Sequence, residues 1–273
     1  MAIFNTVPPL KAGSGIQFDG ETISTRAAPR NLLDNSNFLQ PVNQRGKSTY
    51  TGAVYGIDRW RAWEAGVTVA VGPNGIDVNG DTYIWQYLNP DISDQNKIYT
   101  FATMTADGHI EVITGTPKAG AQGDMIIFGY DNDRSAISCG LKCGYTYIWA
   151  ALYEGAYSAD TLPVYQPKGY MYELLECKRY YQAFSDNAFL GTGIVTNNYV
   201  QGYIATDVQM RVKPTLTGTI GVYNGGSTVT ASELKDCSNQ GCGLRVNLVL
   251  VSTLATSALC IYAQSQVSFS ADL

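Results

Sequence analysis

Apolar and polar positions alternate with period two along most of this chain. The runs are short and punctuated, which predicts strands joined by tight turns. Residues 67–71 are β-branched and close at Pro73-Asn74-Gly75, and residues 83–88 alternate until Asn89-Pro90. Residues 97–104 run to Asp107-Gly108, a hairpin signal, and 109–113 resume the pattern; 125–128 and 145–149 complete this set. One segment changes period. Over 170–184, Met171, Leu174, Leu175 and Tyr181 fall on one helical face, with Glu173, Glu176, Lys178 and Arg179 largely elsewhere. Strand patterning then returns. Val208, Met210 and Val212 alternate before Pro214, 219–223 lead into Asn224-Gly225-Gly226, Leu244 to Leu250 alternate, and so do Val267 and Phe269. Ahead of all this, Ile16 and Phe18 precede Asp19-Gly20, so 15–24 reads as a small hairpin within an extended arm. The fold expected is all-β: an N-terminal arm over 1–30, a β-sandwich or jelly roll over 31–166, a helical connector over 167–184, and a second, C-terminal β-sandwich over 185–273.

Charge and composition narrow the function. Charged residues are 15% of the chain and the net charge is −5, so no basic surplus exists for neutralising phosphates and no nucleic-acid partner is expected. No apolar run is long enough to cross a bilayer, so no membrane insertion is expected, and Met1 to Thr6 shows no secretory pattern. A single His removes the commonest general base and metal ligand, while 28 Gly and 19 Tyr suit a β-rich binding or structural protein. The cysteines at 139, 143, 177, 237, 242 and 260 lack zinc spacing and read as reduced, buried thiols, with a Cys237–Cys242 bridge as the alternative. At under 90 residues the C-terminal unit carries strands apolar enough to want burial beyond one copy, which predicts a homotrimer.

Three separated strings resemble fibre proteins of phages and prophages from Gram-positive hosts. The first is Asn31-Leu32-Leu33-Asp34-Asn35, then 41–46 (Pro-Val-Asn-Gln-Arg-Gly) and 55–60 (Tyr-Gly-Ile-Asp-Arg-Trp). The second is 151–155 (Ala-Leu-Tyr-Glu-Gly), Pro167-Lys168-Gly169 and 173–181 (Glu-Leu-Leu-Glu-Cys-Lys-Arg-Tyr-Tyr). The third is 210–215 (Met-Arg-Val-Lys-Pro-Thr), near a pattern of fibre tips; Ala12 to Ile16 is similar to attachment or shaft segments. The resemblance implies a carbohydrate-binding-module-like jelly roll over 31–166 and a trimeric C-terminal tip. It implies a virion fibre, on tail or head, assembled in the bacterial cytoplasm, with the arm docked on other virion proteins and a host surface glycan as receptor. A head-fibre or capsid decoration protein and a polysaccharide depolymerase are the alternatives.

Attachment through the arm puts the C-terminal loops outermost, so Asn197, Asn198, Tyr199, Tyr223 and Asn224 are the first candidates for glycan contact: Asn both donates to and accepts from hydroxyls, and Tyr offers a flat ring with a polar tip. The competing location is the jelly roll, through Trp85 or Trp149. Tyr83, Trp85 and Tyr87 share one strand face, as Tyr145, Tyr147 and Trp149 share another, and either ladder is a platform if exposed and core if not. Trp60 and Trp63 read as core, with Asp58 and Arg59 as a local ion pair, over the alternative of sugar stacking. Asp124, Asp131 and Asp133 suit either a calcium site or a solvated turn. No catalytic motif appears; Glu111, Asp124, Asp131 and Asp133 qualify by residue type alone, so neither an enzyme nor a cofactor or metal is expected.

Overall fold

The computed structural model describes residues 29–271, apart from 197, 225–226, 240–242, 251 and 253–256, together with two strands upstream. Those two, β1 (Ile16–Phe18) and β2 (Ile23–Thr25), pair antiparallel with Phe18 opposite Ile23, as the hairpin signal predicts. The rest of the arm lies outside the described residues.

The first unit runs from β3 to β13. Its strands are β3 (Thr49–Thr51), β4 (Arg61–Ala62), β5 (Thr68–Gly72), β6 (Gly75–Asn79), β7 (Tyr83–Tyr87), β8 (Tyr99–Thr105), β9 (Ile110–Gly115), β10 (Ala121–Gln122), β11 (Ile126–Asp131), β12 (Ala136–Lys142) and β13 (Tyr145–Glu154). They form a six-stranded sheet, β3-β5-β6-β13-β8-β9, and a five-stranded sheet, β10-β11-β12-β7-β4. One core serves both: Val69, Tyr99, Phe101 and Tyr147 from the first sheet meet Ile84, Ile126, Phe128 and Leu141 from the second. The all-β class therefore holds, with two antiparallel sheets facing across a shared interior.

The leader 31–48 belongs to this unit although it contains no regular strand. Asn35, in the left-handed region at φ 48°, is fully buried. Its Nδ2 donates to the carbonyls of Val42 (2.8 Å) and Asp58 (2.7 Å), and its Oδ1 accepts from Val42 N (2.6 Å). Asn31 ties the same segment to Ala150 and Leu152 of β13. Asp58 holds Arg45 at 2.6 Å, and Arg59 holds Asp34 at 3.1 Å. Trp60 is core, as expected, but Trp63 is exposed.

The predicted helix over 170–184 is shorter and faces the other way. α1 spans Tyr170–Lys178, and Tyr181–Phe184 is a strand, β14. Its buried side chains are Glu173 and Cys177, while Met171 and Tyr172 are 64% and 72% exposed. Polar contacts hold the helix in place of apolar ones. Glu173 accepts from Asn35 N at 2.5 Å, and Lys168 bridges Asp34 (3.4 Å) and Glu176 (2.7 Å). Burial alone would raise the Asp34 pKa, but the Arg59 and Lys168 charges hold it below the ordinary range; burial pushes Glu173 and Glu176 up. Tyr180 lies under Arg59 at 3.5 Å and Tyr181 under Arg45 at 3.8 Å, so the junction is knitted rather than a loose tether.

The second unit is not a second sandwich. Strands β15 (Phe189–Thr196), β16 (Tyr199–Ala205), β18 (Ile220–Asn224), β19 (Ser227–Asn239), β20 (Gly243–Leu250) and β21 (Ser257–Ala263) close into a barrel, β15-β16-β20-β19-β18-β21. A three-stranded sheet, β14-β22-β17, with β17 at Thr215–Thr217 and β22 at Val267–Ser270, lies against it and contributes Val267 and Phe269 to its core. The alternation that predicted a sandwich is real, but glycine changes the outcome. A Cβ at Gly191 would run into the Tyr203 carbonyl, and one at Gly193 would sit 2.7 Å from the Gln201 carbonyl. Two register shifts let the 13-residue β19 coil around β20. Residues 208–213, expected as a strand, are irregular: Met210 is buried while Val212 is exposed and Pro214 follows.

Candidate functional site

The outer face of the barrel carries a continuous row of side chains across five strands. Register places Tyr223 (β18) beside Cys260 (β21), Cys260 beside Thr192 (β15), Thr192 beside Tyr203 (β16), and Tyr203 beside Arg245 (β20). The next row outward is Ala258, Ile194, Gln201 and Asn247. Alternation explains why these residues face out: Val200 and Ile204, Leu244 and Val246, and Leu259 and Ile261 fill the interior. Ile194 is 61% exposed, and Tyr199, Tyr203 and Tyr223 are all exposed.

Two open grooves meet along β15. One, of about 620 Å³, is lined by Tyr199, Gln201, Tyr203 and Arg245; the other, of about 460 Å³, by Tyr223, Ala258, Leu259 and Cys260. Both use Thr192, Gly193 and Ile194 as their common wall. Tyr199 and Tyr223, chosen from the sequence as loop residues, therefore stand on opposite sides of one surface. The Tyr203 ring lies over Gly243, where any side chain would collide with it. A ring laid on a glycine of the next strand keeps one face on backbone and turns the other outward. One groove offers two rings, an amide and a guanidinium, the other the Tyr223 ring and a thiol; three strand spacings, half of the six around the barrel, separate Tyr223 from Tyr203.

The other candidates separate. Asn198 adjoins β16, and its carbonyl accepts from Leu250 N at 2.8 Å; Asn197 and the Asn224 side chain lie outside the described residues. Trp85 does face outward, on the five-stranded sheet, beside Trp63 (6.2 Å between centroids) and Tyr83 (4.4 Å) and parallel to Tyr87 at 4°. Gly140 on β12 leaves room for its ring, 3.3 Å from where a Cβ would stand. Trp149 offers no platform. A β-bulge between Tyr147 and Trp149 sends Tyr147 into the main core and Trp149 to the opposite side, under Tyr165 stacked at 4.8 Å, so the ladder of Tyr145, Tyr147 and Trp149 does not exist.

Two of the four carboxylates named by type are in structural use. Glu111 accepts from the amides of Asp124, Met125 and Ile126 at 2.6–2.9 Å, and Asp131 pairs with Arg134 at 2.8 Å. Among the described residues no group of three or more His, Cys, Asp or Glu side chains could hold a metal ion. Cys139 and Cys177 are buried thiols, their pKa raised by desolvation, but Cys260 is exposed, contrary to expectation; the Cys237–Cys242 pairing lies outside the described side chains. Sequence reading missed Tyr203 and Arg245. The signal was present, since Tyr199, Gln201 and Tyr203 alternate with Val200 and Ile204. Attention to loops concealed it.

Comparison with protein-family profiles, curated proteins and solved structures returned no significant match.

Proposed function

We propose that this protein is a non-enzymatic virion fibre of a bacteriophage, a receptor-binding protein that attaches to a bacterial surface glycan through the outer face of its barrel. The observation that carries the reading is the row Tyr223, Cys260, Thr192, Tyr203 and Arg245, flanked by two grooves on an otherwise closed barrel. Exposed rings with polar tips, set on a rigid sheet, suit the C–H faces and hydroxyls of sugars. The three strings that resemble phage fibres support the virion context, on tail or head, and the jelly-roll assignment of the first unit. In this reading the N-terminal arm docks on the virion. The apolar side of α1, with Tyr170, Met171, Tyr172 and Leu175 exposed, is where copies pack into a homotrimer. One site of this kind binds weakly, and three copies supply avidity.

The test is binding of the labelled protein to a panel of Gram-positive cells. Tyr203→Ala with Tyr223→Ala, at unchanged melting temperature, is expected to lower binding at least tenfold. A double variant that binds like the parent removes the groove from consideration. A second reading places the glycan on the sandwich, because exposed Trp63 and half-buried Tyr83 and Trp85 form an aromatic cluster on its outer side; Trp85→Ala alone should then abolish binding. Shortening of a cell-surface polysaccharide by the protein would support the depolymerase alternative instead.

A further inference from the structure

We propose that the ligand of the barrel grooves is an anionic glycan, a chain bearing carboxylates or phosphodiesters, and that Arg245 is the residue that reads its charge. The inference rests on the glycan-binding reading above and adds the ligand's chemistry to it. Among the residues lining either groove, Arg245 is the one that is charged at neutral pH. Leu244 and Val246 on either side of it point into the core, which fixes Arg245 on the outer face. Its neighbour across the strand is Tyr203, whose ring occupies the space above Gly243, two residues before Arg245 on the same strand. Tyr203 and Arg245 therefore line the same groove from neighbouring strands.

Four other arginines pair with carboxylates: Arg30 with Glu176, Arg45 with Asp58, Arg59 with Asp34 and Arg134 with Asp131. No carboxylate of a described residue pairs with Arg245, in a chain whose net charge is −5. A cation kept on an acidic protein, within an aromatic groove, is complementary to a negative group on the ligand. A planar guanidinium takes carboxylate or phosphate through two parallel hydrogen bonds. The adjoining groove has different chemistry: Ile194 and Ala258 give it an apolar wall. A repeating glycan with a charged unit at Tyr203–Arg245 and an uncharged unit at Ile194–Tyr223 fits both.

The test uses the full-length protein and three polymers of matched length: polygalacturonate, poly(glycerol phosphate) and dextran. One charged polymer is expected to bind about tenfold more tightly than dextran, with the preference falling as salt is raised. Which of the two binds separates carboxylate from phosphodiester. Arg245→Gln should erase the preference of the charged polymer over dextran at an unchanged melting temperature, and Arg245→Lys should keep part of it. Equal binding of dextran and the charged polymers, or an Arg245→Gln variant that retains the preference, overturns the anionic assignment and leaves the glycan reading standing. Binding of no polymer, or Tyr203→Ala binding all of them like the parent, overturns the glycan reading and this inference with it.

Discussion

The sandwich fills the space between its sheets with rings: Trp60, Tyr99, Tyr147, Phe38, Phe101 and Phe128 are all fully buried. The barrel strands fill theirs with Val, Leu, Ile and Ala, and thin their walls with Gly191, Gly193 and Gly202. Two facing sheets leave a slab about 10 Å thick, wide enough for aromatic side chains. Six strands closed on themselves leave a narrow lumen and need tight curvature. The polar interior differs as well. Asn31, Asn35, Asp58, Arg59 and Gln86 are buried in or beside the sandwich, while no described residue of the barrel strands is a buried polar one. The sandwich thus depends on a few residues with many hydrogen bonds, and the barrel on the absence of side chains at a few points. Both units put their outward rings over glycines, Trp85 over Gly140 and Tyr203 over Gly243.

The largest effect that tests this contrast is Asn35→Ala. It removes three side-chain hydrogen bonds and strands buried backbone groups, which should destabilise the sandwich by about 3–5 kcal/mol. Asn35→Asp should be comparably harmful, since a carboxylate cannot donate to the Val42 and Asp58 carbonyls and would be buried against them. All four Trp residues lie between positions 60 and 149, so tryptophan emission during denaturation follows the sandwich alone. A midpoint unchanged from the parent would mean that the leader is not part of the sandwich's cooperative unit.

Glycine substitutions come next. Gly191→Ala forces a Cβ onto the Tyr203 backbone and should destabilise the barrel by about 2–3 kcal/mol, with the emission transition little changed. Gly140→Ala meets the Ile127 Cγ2 methyl, a side chain where Gly191→Ala meets backbone, so a smaller cost of about 1–2 kcal/mol is expected. Equal effects, measured by calorimetry, would contradict the idea that curvature makes the barrel glycines special.

The strands at 83–87, 220–224, 243–250 and 267–270 were legible because period two survives in them unbroken. What escaped was non-local. The bulge at 147–149 inserts one residue and flips every later side chain, and no local pattern announces it. Residues 181–184 satisfy both helical and strand periods, and only pairing with β22 decides. The exposed apolar side of α1 is the inverse of its amphipathic reading, because Asn35 and Asp34, from far along the chain, anchor its polar side directly or through Lys168 just ahead of the helix. Of the site, Tyr199 and Tyr223 were read correctly as exposed, while their convergence on β15 needed the closed barrel.

A smaller effect concerns the junction between the two units. Glu173 and Glu176 have folded pKa values raised above the ordinary 4.5, so their contribution is full below that value and fades as pH rises through the folded ones. Asp34 is held below its ordinary 3.8, so its contribution is full above that value and is lost as pH falls further. The junction should therefore be firmest between about pH 3.8 and 4.5, by about 1 kcal/mol or less relative to pH 7.5. Glu173→Gln should flatten the rise. A melting temperature that climbs steadily from pH 5 to 7.5 would show that these carboxylates do not govern the junction.

The smallest effect on the protein discriminates most sharply between its two ringed surfaces. Trp63 and Trp85 stand on the outer face of the sandwich, and the barrel contains no Trp. A sugar laid against an indole displaces water from it and shifts its emission to the blue, whereas a sugar at Tyr203 and Tyr223 is on another unit. Saturating glycan is therefore expected to leave the tryptophan spectrum of the parent unchanged while binding is plainly measurable by calorimetry. The same ligand should protect Cys260 from alkylation, because that exposed thiol lines the second groove. A blue shift that vanishes in Trp85→Ala, with Cys260 alkylated at its original rate, moves the receptor site to the five-stranded sheet and leaves the barrel as its support.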